Sequence, residues 1–365
     1  MILRKKGPWS QFTSFIDGHR KLSTGLAIGM VVAGAGFIAA GFWFQPQPGV
    51  GAQTATPKNV TKEVTSDGQT LYYSPLSGAQ VENEATTKRQ VTAIMIENSL
   101  DARPQSGIKP AGVIFEAIAE GGITRFLTLH QEGRPALIGP VRSLRPYYID
   151  WLAPFDAAVA HVGGSANALK EIRGGGYKDI DQFFAGNYYW RATDRVAPHN
   201  VYTSFDKLDA LNASRGYTSS TFTGFPRKMD SPATTKNATK IDVTISSATY
   251  NSSYTYDAAS NSYIRSEGGK PHTDREAGQL APKSVIVIKV PVQVGYEDGY
   301  REQMTTLGFN EAHIFQDGQH ISGFWRKDSK KEQMRFYDQS GVPIALNAGQ
   351  TWVTVVAPNK GVTWQ

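Results

Sequence analysis

The sequence predicts an α/β or α+β domain followed by a mainly β domain, both outside the cell membrane and joined to one N-terminal transmembrane helix. Three observations predict this order: an uncharged segment over 22–44, strand patterns mixed with helix patterns over 71–235, and strand and turn patterns over 236–365. Strands mixed with helices are typical of layered α/β and α+β domains. The chain has 365 residues, 40% of them hydrophobic, which is enough for two packed domains.

The first 44 residues predict the membrane anchor. Residues 1–21 carry five basic residues and one acidic residue, and 22–44 carry no charge. A spanning helix needs about 20 apolar residues, and the basic flank of such a helix stays inside the cell. We therefore expect a cytoplasmic basic tail (1–21), a transmembrane helix (22–44) and an extracytoplasmic remainder. The alternative is a cleaved signal peptide, because small residues precede Gln53 and end at Ala52.

Two further expectations concern this end of the chain. Gly25, Gly29 and Ala33 form a row of small residues at a spacing of four, which is the pattern that packs two membrane helices into a homodimer. Residues 45–70 are rich in Pro, Gly, Thr and Gln and predict a flexible stalk.

Composition excludes several classes of site. The chain has no cysteine, so disulfides, thiol nucleophiles and Cys-ligated metals are excluded. The net charge is +6, but +4 of it lies in the first 21 residues, which leaves no basic footprint for nucleic acid in the folded part. No histidine or carboxylate spacing is typical of a metal site, and we expect neither a metal nor a cofactor.

In the first domain, 71–235, residues 91–98 and 156–164 read as buried strands because they are almost continuously apolar. Residues 204–216 read as a helix with Ser204 as its N-cap and Gly216 as its stop. The polar stretch 227–240 is the best internal boundary. In the second domain, 236–365, alternation around Asp317-Gly318 predicts a hairpin over 313–325. The further predicted strands are 284–290, 334–346 and 351–358.

Several long motifs resemble the YerB-like family of bacterial envelope proteins. "AIMIENSLDARPQSGIKPAGVIFEAIAEGGITRFLTLHQ", "IGPVRSLRPYYIDW", "HVGGSANAL" and "APHNVYTS" resemble its N-terminal domain, and "GGKPHTD" and "FWRKDSKKEQMRFYDQSGVPIALNAGQTWVTVV" its C-terminal domain. The resemblance covers residue 72 to the end. It implies an extracytoplasmic two-domain protein, usually a lipoprotein, of unknown function. This chain departs from that pattern because it has no lipobox cysteine.

Glu116 and Glu120, in "FEAIAEGGITRF", are candidate catalytic carboxylates. On a helix they would lie roughly 6 Å apart on one face. On a strand they would share a face at roughly 13 Å. Glycosidases place their two carboxyl groups about 5–9.5 Å apart, so only the helix would let them cooperate. The alternative is that Arg125 pairs with one of them at the rim of a cleft.

Three other segments carry candidate ligand-binding or catalytic residues. Arg142 and Arg145 lie on a proline-bounded turn that suits phosphate or carboxylate. His161 ends a predicted strand, and Gly163, Gly164 and Ser165 lead into a helix N-terminus that could bind an anion. His199 follows a proline on a loop and could be an acid or a base. Each also has a structural interpretation, as a paired surface arginine or a helix cap.

The expected function is recognition of an anionic cell-wall component, or of a protein partner in cell-wall synthesis. Arg125, Arg142, Arg145, His161 and His199 would line the cleft. One alternative is a hydrolase acting on an envelope glycan or phosphodiester polymer, with Glu116 or Glu120 as acid or base beside a histidine. Another is a protein-interaction scaffold.

Overall fold

Strands outnumber helices throughout residues 61–365, the part of the chain that the computed structural model describes. The strands, in chain order, are β1 Lys62–Val64, β2 Thr70–Tyr73, β3 Gln80–Val81, β4 Thr92–Glu97, β5 Val113–Glu120, β6 Ile123–His130, β7 Ala158–His161, β8 Lys178–Asp181, β9 Trp190–Arg191, β10 Val201–Tyr202, β11 Arg227–Lys228, β12 Lys240–Val243, β13 Ser252–Asp257, β14 Ser262–Glu267, β15 Lys270–Pro271, β16 Thr273–Asp274, β17 Gly278–Gln279, β18 Ser284–Lys289, β19 Val292–Glu297, β20 Arg301–Met304, β21 Gly308–Gln316, β22 Gln319–Lys327, β23 Arg335–Asp338, β24 Leu346–Asn347, β25 Thr351–Val356 and β26 Val362–Trp364. The α-helices of the same residues are α1 Glu84–Thr87, α2 Pro146–Leu152, α3 Ala166–Gly174 and α4 Phe205–Ser214.

A twelve-stranded mixed sheet organises these elements. Ten strands follow the order β23-β22-β21-β18-β25-β5-β6-β4-β7-β8, and the β19–β20 hairpin attaches to β5. Strand β25, from the end of the chain, pairs in parallel with β5. Strands from the N-terminal and C-terminal regions therefore form one continuous sheet. A second sheet, β15-β14-β13-β12-β26, consists of C-terminal strands alone.

The middle of the large sheet is buried on both faces. In β4, Ala93 and Met95 join the core that α2 and α3 cover, while Ile94 and Ile96 join the core that α4 covers. The five-stranded sheet packs on the large sheet further along, through a cluster that contains Ile241 and Val285. Such two-sided burial explains why β4 reads as a continuous apolar run.

Local patterns in the sequence are confirmed where they carry turn or cap chemistry. Helix α4 begins after Ser204, whose Oγ accepts the Lys207 N–H, and Gly216 follows it at φ +74°. Strands β21 and β22 meet at Asp317 and Gly318, both in the left-handed region that a two-residue hairpin requires. The mainly strand content of the second region is confirmed as well.

Several predictions concern the first 60 residues. The basic tail (1–21), the transmembrane helix (22–44), the packing row Gly25, Gly29 and Ala33 and the cleavage site near Ala52 all lie outside the described residues. The predicted stalk (45–70) is described from residue 61, and there β1 pairs with β2 rather than forming a free linker. From residue 61 onward, the chain has no helix of the length and apolarity that a membrane crossing requires.

Candidate functional site

The segment "FEAIAEGGITRF" is a β-hairpin, so the helical interpretation of Glu116 and Glu120 is wrong. Both residues belong to β5, and Gly121 and Gly122, at φ +59° and +76°, turn the chain into β6. Residues four apart share a face in a helix and in a strand, which is why the spacing alone could not decide. In the strand the two carboxylates are too far apart to act on one bond.

Glu116 is a fully buried partner of Arg265. The Arg265 Nη2 donates to both carboxylate oxygens at 3.0 Å, and the Trp352 indole N–H donates to one of them at 2.9 Å. Both charged side chains have no solvent exposure. Glu116 therefore clamps the N-terminal region to the C-terminal region, and no substrate can reach it in this conformation.

The clamp continues into a buried polar network. Arg265 Nε donates to His272 Nδ1, so that nitrogen is an unprotonated acceptor. Burial, together with the charges of Arg265 and Arg103, holds the pKa of His272 well below its usual value. Burial raises the pKa of Glu267 to about 7 against the opposing charge of Arg265. Asn98 donates to Glu267 at 2.6 Å and so links this network to the end of β4.

Glu120 is held by two arginines, as the rim alternative anticipated for Arg125. Arg145 Nη2 donates to its two oxygens at 2.6 and 2.7 Å, and Arg125 Nη2 donates at 3.1 Å. Burial raises the pKa of Glu120, but the two guanidiniums outweigh it and the net pKa is lowered. A carboxylate that stays ionised is a poor general acid. Arg125 and Arg145 are also buried, at 6% and 3% side-chain exposure.

The turn after β7 meets carboxylates of the chain itself. The His161 ring lies 2.7 Å from the Gly163 carbonyl and 2.9 Å from Asp179. The Gly163 N–H donates to Asp181 at 2.9 Å. Ser165 is the N-cap of α3, and Gly164 forms an isolated parallel β-bridge with Leu144. At the start of α3, the Asn167 N–H donates to Glu297 at 3.0 Å. The predicted turn into a helix N-terminus is present, and two of its N–H groups already donate to carboxylates of the chain itself.

A partly exposed group of side chains surrounds Glu97 at the carboxyl end of β4. The Glu97 cluster consists of Glu97, Ser99, Arg142 and His199. His199 Nδ1 lies 2.9 Å from Glu97 Oε1, and Ser99 Oγ donates to the same oxygen at 3.0 Å. Arg142 Nε lies 3.2 Å from Glu97 Oε2. Side-chain exposure is 6% for Glu97, 26% for Arg142 and 22% for His199.

Backbone pairing at the end of the sheet brings these residues together. The Glu97 N–H donates to the Pro140 carbonyl, and the Arg142 N–H donates to the Met95 carbonyl, so the arginine turn runs beside β4. The His199 loop is held near the residues after β4 by Arg195, which donates to the Asp101 and Pro104 carbonyls. In α/β sheets ligands bind outside the carboxyl ends of parallel strands, and β4, β7 and β8 end at this edge.

The geometry of the Glu97 cluster limits its chemistry. Ser99 and Glu97 both contact Nδ1 of His199, whereas a serine triad needs the serine and the acid on opposite ring nitrogens. Ser99 is therefore not an activated nucleophile. Nε2 of His199 lies 3.9 Å from Asp101, beyond hydrogen-bond distance, and makes no hydrogen bond within residues 61–365. A histidine held by a carboxylate at Nδ1 can accept, donate or bind at Nε2.

Exposed apolar side chains flank the same edge of the sheet. Phe183 and Phe184 follow β8, and their exposure is 69% and 68%. Leu100 follows β4, and Val196 lies on the His199 loop. Phe183 lies over Gly163, where a Cβ would come within 2.9 Å of its ring. Apolar groups beside a polar centre are typical of a recognition surface.

The site residues predicted from the sequence do not all meet. Arg142 and His199 share one carboxylate, whereas Glu116 and His161 are each fully buried among other partners. Sequence reasoning missed Glu97 and Ser99, although a polar "EN" that ends a buried strand is a recognisable signal for a strand-end site. Within residues 61–365 no three metal-ligating side chains form a group that could hold an ion.

Comparisons with known proteins find related chains over most of this length. Residues 76–218 match the family described as the N-terminal domain of DUF3048, a protein of unknown function, and residues 241–353 match its C-terminal domain. A protein named "Putative lipoprotein YerB" from Bacillus subtilis (strain 168) is 31% identical over 300 residues, which are 81% of this chain and 89% of that protein. The crystal structure of YerB protein from Bacillus subtilis is 28% identical, with a TM-score of 0.72, and the match covers 80% of this chain and 99% of that chain.

Proposed function

The chain belongs to the YerB-like family of proteins with N- and C-terminal DUF3048 domains, and from this membership we propose that it is a membrane-anchored extracytoplasmic protein that recognises an anionic cell-wall component. The name of the Bacillus subtilis relative, a putative lipoprotein, supports an envelope location. This chain has no cysteine for a lipid, so the anchor would be the uncharged segment 22–44. The basic residues before that segment support an extracytoplasmic C-terminal part.

The observation that carries the recognition proposal is that the Arg142 side chain makes no hydrogen bond within residues 61–365. Its Nε and Glu97 Oε2 lie 3.2 Å apart but are not aligned for a hydrogen bond, and both atoms are buried without another partner in residues 61–365. Its terminal nitrogens donate no hydrogen bond to that part of the chain either. A guanidinium with free terminal nitrogens binds a carboxylate or phosphate through two parallel hydrogen bonds. In contrast, the guanidinium groups of Arg125 and Arg145 already donate hydrogen bonds to Glu120 and to backbone carbonyl oxygens.

His199 and the flanking apolar residues complete the proposed surface. Nε2 of His199 would hydrogen-bond the ligand beside Arg142, because both side chains contact the same Glu97 carboxylate. Phe183 and Phe184 would cover apolar parts of the ligand further along the edge. Glu97 sets the position of both polar groups and is a positioning residue in this proposal.

Binding of the full chain in detergent to isolated cell-wall polymers tests the proposal. Arg142→Ala removes the free guanidinium, and a charge-assisted pair of about 1.5–3 kcal/mol predicts a loss of affinity of roughly ten- to a hundredfold. Arg142→Lys keeps the charge without the fork and should recover only part of the affinity. Lys240→Ala is the control, since it removes one positive charge from an exposed side chain. Unchanged affinity in folded Arg142→Ala would refute this site.

A second candidate function is a hydrolase acting on an envelope glycan or phosphodiester polymer. One observation favours it: Glu97 holds His199 at Nδ1 and leaves Nε2 free to take a proton from water. Glu116 is buried away from solvent, and the ionised Glu120 is held in ion pairs with Arg125 and Arg145. His199 would therefore be the base. Under this function wild-type protein releases fragments from a wall polymer and His199→Gln does not. Binding without any release, by wild-type protein at several pH values, excludes the hydrolase and leaves recognition.

A further inference from the structure

A second recessed surface lies far from the Glu97 cluster, at the opposite end of the large sheet. This groove has a volume of about 530 Å³ and lies between residues 221–223 and the β22–β23 ribbon with its connecting turn. Six strands lie between β23 and β4 in the sheet, so seven spacings of about 4.8 Å put the two strands roughly 34 Å apart. The groove is therefore independent of the proposed recognition surface.

Two basic side chains of the groove lie side by side on one face of the ribbon. Arg326 on β22 and Arg335 on β23 are directly opposite each other. Like charges at directly opposed positions of antiparallel strands are destabilising. Arg326 pairs with Asp328, but the side chains of Arg335 and Lys331 make no ion pair or hydrogen bond within residues 61–365. The groove thus presents three basic side chains, and two of them have no anionic partner within residues 61–365.

Aromatic rings lie on the same face as the arginines. Phe324 and Tyr337 are the next opposed pair on that face of the ribbon, two residues from the arginine pair on each strand. Their rings stack at 5.1 Å with an interplanar angle of 15°. Phe222 lines the groove from the opposite wall. Aromatic faces beside guanidiniums offer apolar contact and charge recognition to one ligand.

The turn that closes the groove is held in place before any ligand binds. Lys327 is 1% exposed, and its ammonium donates to the carbonyls of Lys330 and Glu332 at 2.9 and 2.6 Å. Burial lowers its pKa to about 8. Gln333 bridges the two walls by donating to the Thr223 carbonyl at 3.3 Å. A preformed site loses less conformational entropy on binding.

We propose that this groove binds an acidic saccharide, a sugar ring that carries a carboxylate or a phosphate group. Arg326 and Arg335 converge on the anionic group, since guanidiniums match the planar fork of a carboxylate or phosphate. The ring of Tyr337 packs against the apolar face of the sugar. Asp328 and Glu332, the acidic residues of the groove, offer acceptors to sugar hydroxyl groups. This site goes beyond the proposed function, because none of its residues belongs to the Glu97 cluster.

The test uses the full chain in detergent and calorimetric titration with four probes: oligogalacturonate, glucose 6-phosphate, maltohexaose and inorganic phosphate. All variants are made in an Arg142→Ala background, so the result does not depend on whether the Glu97 cluster binds anything. Oligogalacturonate, glucose 6-phosphate or both should bind, and the tighter of the two identifies the anionic group. Arg326→Ala, Arg335→Ala and Tyr337→Ala should each weaken that binding about tenfold or more. Lys88→Ala, an exposed lysine at the other end of the chain, is the charge-matched control.

Three results would overturn the proposal. If inorganic phosphate or maltohexaose binds as tightly as the acidic sugars, the groove does not require both an anionic group and a sugar ring in its ligand. Equal affinity of the Arg335→Ala and Lys88→Ala proteins for the acidic sugar would show that Arg335 does not contact the ligand. No binding by either acidic probe, in protein that melts at the wild-type temperature, would exclude an acidic saccharide. Loss of binding when Arg335→Ala is added, with binding retained in the Arg142→Ala parent, would establish the groove; the Glu97 cluster is tested separately with cell-wall polymers.

Discussion

Replacing Glu116 by leucine should destabilise the folded protein strongly, because it removes the carboxylate that contacts a fully buried guanidinium and leaves the more distant Glu267, 3.8 Å from Arg265, opposite that charge. Arg265 donates to both Glu116 oxygens at 3.0 Å, and it also lies 4.3 Å from the centre of the Trp352 ring. Burial lowers the pKa of Arg265, but Glu116 and its other partners outweigh burial, and the net pKa is raised. The guanidinium therefore remains charged. Removing one partner of such a pair costs about 3–5 kcal/mol.

Urea unfolding at pH 7 measures this effect. Glu116→Leu should lower the free energy of unfolding by about 3–5 kcal/mol, and Arg265→Met by a similar amount. The double variant should recover much of the loss, since replacing both members of a buried ion pair by apolar residues is often neutral. Glu84→Gln breaks an exposed pair with Lys88 and should leave the free energy of unfolding close to the wild-type value, so it serves as the control.

The double variant decides whether the reasoning holds. If the two single losses simply add in Glu116→Leu/Arg265→Met, each side chain stabilises the fold independently and the clamp does not exist. A loss below about 1 kcal/mol in Glu116→Leu would refute the argument as well, because it would mean that water or the Glu267 carboxylate, 3.8 Å away, balances the charge of Arg265. Tyr254, which accepts a hydrogen bond from Arg265 at 2.9 Å, offers an absorbance signal for solvent entry at this position.

Two further predictions concern pH and helix capping. Burial, followed by the negative charge of Glu120, raises the pKa of Glu302 from 4.5 to about 7, so its stabilising contribution is present below pH 4.5 and is lost as the pH rises through about 7. Glu302→Gln should therefore raise the free energy of unfolding at pH 8 and change it little at pH 4.5 in urea unfolding, and an equal gain at both pH values would contradict the assignment. Ser204→Ala removes the side-chain acceptor for the Lys207 N–H and should lower the free energy of unfolding by about 1 kcal/mol, whereas Ser204→Asp keeps an acceptor and should preserve the wild-type stability. Equal stability of the two variants would show that the cap contributes nothing.

Local chemistry made part of this fold predictable from the sequence. The β21–β22 hairpin follows from Asp317-Gly318, because only residues that tolerate positive φ fit a two-residue turn. Helix α4 follows from Ser204 and Gly216, whose effects act within one turn of the helix. Strands β4 and β18 follow from runs of apolar, β-branched side chains. In each case the groups that interact are neighbours in the chain.

The candidate site was predicted only in part. Arg142 and His199 were identified as residue types that recognise anions and transfer protons, but their meeting at Glu97 was not foreseen. Arg145 and Arg125 were equally plausible ligand-binding residues from the sequence, but in the structure both form salt bridges with Glu120. The deciding quantity is whether an internal carboxylate already satisfies a guanidinium, and residue type and spacing carry no information on that.

By itself the sequence determined the absence of thiol chemistry, the position of the uncharged segment 22–44, the family resemblance and the short-range turns and caps. Tertiary structure alone decided that Glu116 belongs to a strand and meets Arg265, which lies 149 residues away. It also decided that the last long strand of the chain, β25, pairs with β5 inside one sheet. The physical reason is the range of the forces involved. Turns and caps are fixed by dihedral preferences and hydrogen bonds within a few residues, whereas the pairing of distant strands and buried charges depends on which alignment of the whole sheet leaves the fewest polar groups without a partner.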